Sequence, residues 1–140
     1  MSFLNDVVNI VIKYYPNLLD GVGNTMLIAL IGTVAGLVIG LLTGVVRTAP
    51  LSKNAVLRVL HKILNAVIAV YVEIFRGTPM MVQLLIMSMV IFANSRNFTM
   101  VGALTLGINS GAYVSEIIRG ALMSLDPGQA EAGRSLGLGY

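Results

Sequence analysis

The sequence has no cysteine and few charged residues, and both shortages restrict its chemistry and its surroundings. With no cysteine among 140 residues, disulfides, thiolate catalysis and cysteine metal sites are excluded. Charged residues make up only 11% of the chain, whereas soluble domains carry about a quarter. Hydrophobic residues reach 56%, and the mean hydropathy is +0.87. This composition is typical of a protein that is embedded in a lipid bilayer.

Acidic residues are missing from the whole stretch between Asp20 and Glu73, where four basic residues occur. These are Arg47, Lys53, Arg58 and Lys62. Because they lie between apolar runs, the net charge of +3 indicates a cytoplasmic loop beside a membrane rather than nucleic-acid binding. The basic loop therefore places the N-terminus outside the cell, so that span one runs inward, span two outward and span three inward.

Three apolar regions are long enough to cross a bilayer as helices. We expect them over about 22–46, 63–94 and 98–125, within an incomplete transmembrane domain of residues 21–140. Residues 1–20 are expected to form a separate extracytoplasmic unit, an amphipathic helix that closes at Pro16, with a disordered terminus as the alternative. No alternating strand pattern competes, so the expected class is an all-α integral membrane protein.

The second apolar region is interrupted at Gly77, Thr78 and Pro79. Thr78 is expected to cap a new helix with Pro79 in its first turn, so that a helix from about Ala55 ends near Arg76. The alternative is one long helix that is kinked at Pro79. Broken helices at membrane depth are tolerated where protein covers them or where they line a cavity, so this region is expected to line a pathway.

Small residues recur every four positions on spans one and three. The two stripes are Gly32, Gly36, Gly40 and Gly44, and Ala103, Gly107, Gly111 and Ser115. Such spacing lets two helix backbones approach closely in lipid. The pattern fits static packing, and it also fits two faces that slide or tilt during a working cycle.

Polar residues share one face of span three. Asn109, Tyr113 and Glu116 follow helical spacing, and Gln83 lies at a comparable level in span two. Carboxylates inside membrane segments usually face a bundle interior or water, so these four are candidates for the lining of a polar translocation path. The alternative for Glu116 is a local pair with Arg119, three residues away.

The remaining reactive side chains predict ordinary roles. Glu73 and Arg76 are three residues apart and are expected to pair, and His61 is expected to lie on the cytoplasmic surface. The methionines between positions 80 and 89 have no histidine near them, which favours flexible packing over copper binding. Neither a P-loop nor a nucleophile–base pair occurs, so we expect no catalytic residue, no metal site and no bound cofactor in this chain.

A capped helix is expected after the third span. Asp126, Pro127 and Gln129 fit a capping box that opens a short cytoplasmic helix within residues 126–140. A short helix directly after a membrane span is suited to docking into a groove of another protein.

Three stretches together resemble the permease subunits of ABC importers for polar amino acids, of the histidine, glutamine and arginine type. The family's EAA loop is matched at Glu131, Ala132, Gly133 and Gly137, with Gly133 where alanine is usual. The stretch VEIFRGTPMMVQL resembles the family block E-x-x-RGTP-x-x-VQ, whose central positions here are Arg76, Gly77, Thr78 and Pro79. Residues 108–139 resemble the block that leads into the EAA loop, and residues 21–47 resemble the first helix.

The resemblance implies the first three helices of a five-helix type I ABC importer permease, ending within the coupling region. It implies alternating-access import of glutamine, glutamate, arginine or histidine across the bacterial cytoplasmic membrane. The implied partners are ABC ATPase subunits that hold ATP and magnesium, a second or sister permease, and an extracellular amino-acid-binding protein. Glu131 to Gly137 would dock onto the ATPase. The competing class is a non-transporting channel or assembly factor, which has no need of such a docking helix.

Overall fold

A computed structural model describes residues 2–50 and 53–138 as helices joined by short turns. The α-helices of these ranges are α1 (Ser2–Thr48), α2 (Ala55–Gly77), α3 (Met80–Ile86), α4 (Phe98–Met123) and α5 (Pro127–Ser135). A π-helical turn, Met87–Ile91, continues α3. The described ranges contain no strand, which agrees with the expected all-α class.

Helix α1 is one helix of 47 residues, so the predicted boundary at Pro16 is wrong. Proline has no N–H group, and the carbonyl of Ile12, four residues earlier, therefore loses its helical hydrogen bond. The helix nevertheless continues on both sides of Pro16. At about 1.5 Å per residue α1 is roughly 70 Å long. Residues 3–27 are exposed along it and extend span one instead of forming a separate helix.

Helices α1 and α4 run in the same direction and pack through the two stripes of small residues. Along α1, Gly32 lies against Leu106, Gly36 against Ser110, Gly40 against Val114, and Gly44 against Ile118. From the other side, Gly107 lies against Ala35 and Gly111 against Ile39. A Cβ atom added at Gly36 would come within 2.5 Å of the Ser110 Cβ. The predicted close approach of the stripes is confirmed, because glycine alone leaves room for the facing side chains.

A break separates α2 from α3, so the second apolar region is two helices and not one kinked helix. Thr78 and Pro79 are both extended, with ψ angles of 141° and 135°. The ring of a proline disfavours helical backbone in the residue before it, which ends α2 at Gly77. The predicted capping is wrong in detail. Thr78 closes α2 by donating its hydroxyl to the Ile74 carbonyl, and Pro79 itself precedes α3.

Helix α2 packs on α4 through a small apolar core. Ile68, Val72 and Ala112 are buried there, and Val46, Tyr71 and Phe75 pack around them. The Tyr71 hydroxyl donates a hydrogen bond of 2.5 Å to the Ile108 carbonyl. Its oxygen lies 3.0 Å from the point that a Cβ on Gly111 would occupy. The lack of a side chain at Gly111 thus allows two neighbours to approach α4 closely, namely Ile39 of α1 and Tyr71 of α2.

Among residues 2–50 and 53–138, two helices are long and apolar enough to cross a membrane, namely α1 over Phe3–Thr48 and α2. Helix α4 has 26 residues, roughly 39 Å, which is longer than the ~30 Å core of a bilayer. Its buried face includes the polar residues Thr105, Asn109 and Ser115. The observed bounds of α4 lie within two residues of the expected 98–125. The outward N-terminus stays a prediction.

Substitution of Gly36 by alanine is expected to lower the free energy of unfolding by about 1–3 kcal/mol, because the added methyl group forces α1 away from Ser110. The matched control is Gly23→Ala, since a Cβ at Gly23 meets no atom within 4 Å. The control should be neutral or stabilising, because alanine is the better helix former. Thermal unfolding in detergent measures both. Equal effects of the two substitutions would contradict close α1–α4 packing.

Candidate functional site

The break between α2 and α3 frees a carbonyl group that other side chains capture. In a continuous helix the Phe75 carbonyl would accept the N–H of residue 79, but Pro79 has none. The side-chain amide of Gln83 donates instead, at 2.8 Å to Phe75 O. The same amide nitrogen lies 3.0 Å from the Thr78 carbonyl and 2.7 Å from the Thr78 hydroxyl. Gln83 therefore caps the broken end of α2 from within α3.

Asn109 of α4 completes this arrangement. Its amide nitrogen donates at 3.0 Å to the Gln83 side-chain oxygen and at 3.3 Å to Phe75 O. Gln83 is 6% exposed and Asn109 is 9% exposed, so both amides are shielded from solvent and depend on each other. Two residues that we predicted for the translocation path thus meet, and they hold α4 against the break.

The ring of Tyr113, one turn further along α4, contacts the guanidinium of Arg76. The Arg76 Cζ lies 5.5 Å from the centre of the Tyr113 ring, which is a cation–π contact. Tyr113 remains 45% exposed. The predicted local pair of Glu73 with Arg76 is wrong, because the ion pairs among the described residues do not include Glu73. The aromatic ring of another helix draws the arginine away from it.

Glu116 lies at the centre of an ion cluster near the end of α1. Its Oε2 accepts from Arg47 Nη1 at 2.8 Å, and its Oε1 accepts from Arg119 Nε at 2.8 Å. The predicted pair with Arg119 is therefore present, while Arg47 was missed because it is 69 residues away. The sequence did contain a signal for this contact. Spans one and three are expected to run in the same direction, and each carries charged residues towards its C-terminal end. The cluster links the last turn of α1 to α4.

Three residues separate α5 from α4, and α5 has defined caps at both ends. The Asp126 carboxylate accepts the N–H of Gly128 at 2.8 Å, one residue before the contact that a capping box with Gln129 would make. At the other end Gly137 adopts a φ of 77°, a left-handed conformation that suits glycine. The Leu138 N–H then reaches back to the Gly133 carbonyl at 3.1 Å.

Most residues of α5 are exposed. Glu131 and Ala132 are exposed, Gly133 is half-buried, and Leu136 after the helix is 81% exposed. An open cleft of about 710 Å³ separates α5 from the end of α1 and is lined by Arg47, Thr48 and Met123 among others. The predicted docking residues thus lie on a capped helix that is largely uncovered within the described part of the chain.

Comparison with known proteins identifies the chain's family. The family model described as "Binding-protein-dependent transport system inner membrane component" matches residues 36–140. The chain belongs to this family. The resemblance drawn from the EAA and RGTP blocks is confirmed at this level, since the matched range includes both.

Several curated relatives of this family member are named for glutamine transport. The glutamine transport system permease protein GlnP of Escherichia coli K12 is 39% identical over 127 residues, which cover 88% of this chain and 53% of that protein. A Rickettsia prowazekii protein, also named for glutamine transport, is 38% identical over 136 residues, covering 91% and 56%. The chain therefore spans about half the length of these relatives.

A solved structure has the same fold. The crystal structure of an amino acid ABC transporter with histidines aligns with a TM-score of 0.66 at 34% identity, over 93% of this chain and 57% of that chain. Within residues 2–50 and 53–138, no group of three or more histidine, aspartate or glutamate side chains could hold a metal ion.

Replacement of Gln83 by leucine is expected to cost about 1–3 kcal/mol of unfolding free energy, because the Phe75 carbonyl and the Asn109 amide lose their buried partner. Asn109→Leu should couple to it by more than about 0.5 kcal/mol in a double-mutant cycle. The control is Met81→Leu, a 71% exposed residue of α3, which should be neutral. Strict additivity of the two amide substitutions would contradict the capping role.

The Arg47–Glu116 contact gives a second cycle. Arg47→Met and Glu116→Gln should couple by more than about 0.5 kcal/mol, because each removes the same hydrogen-bonded ion pair. Lys13→Met, which removes a cation from the exposed part of α1, should show no coupling to Glu116→Gln. Denaturant unfolding of the four variants of each cycle measures the difference. Equal coupling in both cycles would mean that a general charge effect, and not the contact, is responsible.

Proposed function

We propose that this chain is the transmembrane subunit of an ABC importer that moves a polar amino acid across the bacterial cytoplasmic membrane. The observation that carries the proposal is α5, a capped and exposed helix directly after α4 that presents Glu131 next to Ala132 and Gly133. A helix of this kind is suited to a groove on a partner protein. The names of the relatives make L-glutamine the first substrate to test.

In this proposal α1, α2 with α3, and α4 are three membrane crossings, and the N-terminus lies outside. The basic residues Arg58 and Lys62 at the start of α2 then face the cytoplasm, as positively charged loops do. The ends of α1 and α4 lie on that same side, together with α5. The orientation therefore places the docking helix where an ATPase would meet it.

The working cycle would be alternating access. A binding protein delivers the amino acid from outside, and two ATPase subunits with ATP and magnesium close beneath a pair of permeases. The pair consists of two copies of this subunit or of one copy with a sister permease. This chain contributes no catalytic group. Movement of α5 would pass to α4, and from α4 through Glu116 to α1 and through Asn109 to the α2–α3 break.

The path residues take separate roles in this proposal. Gln83 and Asn109 shape the wall of the path by holding the break closed from inside the protein. Glu116 ties α4 to the inner end of α1. Tyr113 is the member of this group with an exposed ring, and it is therefore the one we assign to contact with the solute.

The test is uptake of labelled L-glutamine by proteoliposomes that contain the complete importer with this subunit. ATP inside the vesicles should drive uptake. Glu131→Lys should lower uptake at least tenfold while ATP hydrolysis continues, because reversal of this exposed charge disturbs the contact through which the ATPase moves α5.

Asp20→Lys is the matched control, since it reverses an exposed charge on α1 far along the chain from α5. It should leave uptake unchanged. Normal uptake by the Glu131 variant would refute the docking role. Absence of ATP-driven uptake of glutamine, glutamate, arginine and histidine by the unaltered importer would refute the transport proposal itself.

A further inference from the structure

The break between α2 and α3 lies near the middle of α4. Phe75 O is hydrogen-bonded to Asn109, which is the twelfth of the 26 residues of α4. At about 1.5 Å per residue, Asn109 is roughly 16 Å from the start of the helix and roughly 21 Å from its end. If α4 crosses the bilayer, the end of α2 is thus near the centre of the hydrocarbon region.

Two charged residues flank Phe75 at this depth. Glu73 and Arg76 are three apart on α2, so their side chains start about 5–6 Å from each other on one face. Both are exposed, and among the described residues neither takes part in an ion pair. Charges at such a depth are costly, and they usually face a protein interior or a water-filled cavity. The pair therefore presents one anionic and one cationic group to the space beside α2.

The space around Glu73 and Arg76 is open, and the neighbouring groups hold Arg76 in place. Arg76 is steadied by the ring of Tyr113, which leaves the rest of the guanidinium accessible. The space beside Gly77 is free, since a Cβ placed there would meet no atom within 4 Å. The C-terminal end of α2 carries the negative end of the helix dipole, which favours a cation next to Glu73.

We propose that Glu73 and Arg76 form a recognition site for the ammonium and carboxylate groups of a free α-amino acid. A guanidinium binds a carboxylate through two parallel hydrogen bonds, and a carboxylate accepts the N–H groups of an ammonium. An α-amino acid carries both groups on one carbon atom, which matches two opposite charges one helical turn apart. The inference rests on the proposed transport function and specifies which part of the substrate this chain reads.

Because the α-carbon groups are common to all amino acids, this site would provide recognition of the class and not of one side chain. Tyr113 and the other parts of the importer would then contact the variable side chain. Because Arg76 contacts Tyr113 and forms no ion pair with Glu73, both charged groups are available to the ligand.

The test measures binding to the purified complete importer without its extracellular binding protein. Three probes are used: L-glutamine, L-glutaminamide, which lacks the carboxylate, and N-acetyl-L-glutamine, which lacks the ammonium. The unaltered importer should bind L-glutamine at least tenfold more tightly than either analogue. Arg76→Met should weaken L-glutamine binding at least tenfold and leave L-glutaminamide binding unchanged. Glu73→Gln should weaken L-glutamine likewise and leave N-acetyl-L-glutamine unchanged.

Arg58→Met is the matched control, because it removes an exposed arginine from the other end of the same helix. It should keep the full preference for L-glutamine. Arg76→Lys should retain part of the preference, since it keeps the charge without the paired donors. Equal loss of all three probes in the Glu73 and Arg76 variants, or unchanged preference in both, would overturn the assignment.

A measurement on the unaltered importer covers the case in which these variants do not assemble. Phenylglyoxal modifies arginine side chains, and mass spectrometry follows the reaction at Arg76. L-glutamine should protect Arg76 at least fivefold, and L-glutaminamide should not. Lack of protection in an importer that does transport L-glutamine would refute the recognition site and leave the transport proposal standing. An importer that transports no amino acid would refute the transport proposal itself.

Discussion

The missing N–H group of Pro79 is the constraint on which the middle of this structure depends. A carbonyl left without a partner in an apolar surrounding costs several kcal/mol, so the Phe75 oxygen must be satisfied from elsewhere. Gln83 satisfies it from the next helix and Asn109 from α4. The need to satisfy one backbone atom thus determines how α2, α3 and α4 meet. Glu73 and Arg76 lie exposed in the last two turns of α2, just before this break.

Helix α4 is held on its other side by a different kind of contact. Glycines bring it so close to α1 that backbone atoms of α4 lie 3.0–3.3 Å from the points that Cβ atoms on Gly36, Gly40 and Gly44 would occupy. In lipid such contact replaces the hydrophobic drive that soluble helices use. The two helices therefore form one unit, and α5 continues directly from it. A force applied at α5 would reach the break through this unit.

The local features of the fold could be predicted from the sequence, whereas contacts between distant residues could not. The stripes and the break follow from residues within a few positions of each other. The two prolines show how far a local pattern predicts a helix break. Pro79 ends a helix and has Gly77 and Gln83 near it, whereas Pro16 does not end one and has no glycine before Gly21. The Gln83–Asn109 and Arg47–Glu116 contacts join residues 26 and 69 positions apart. They require knowledge of which helix faces meet.

The regular spacing of the glycines has a consequence for the register of α1 on α4. A stripe that repeats every four residues looks nearly the same after a shift of four residues, about 6 Å along the axis, so the stripes by themselves define a ladder of almost equivalent positions. The Arg47–Glu116 contact lies at one end of the packed stripes, and it can form in only one of these registers. The glycines thus allow the close packing of the two helices, and the Arg47–Glu116 ion pair fixes their register.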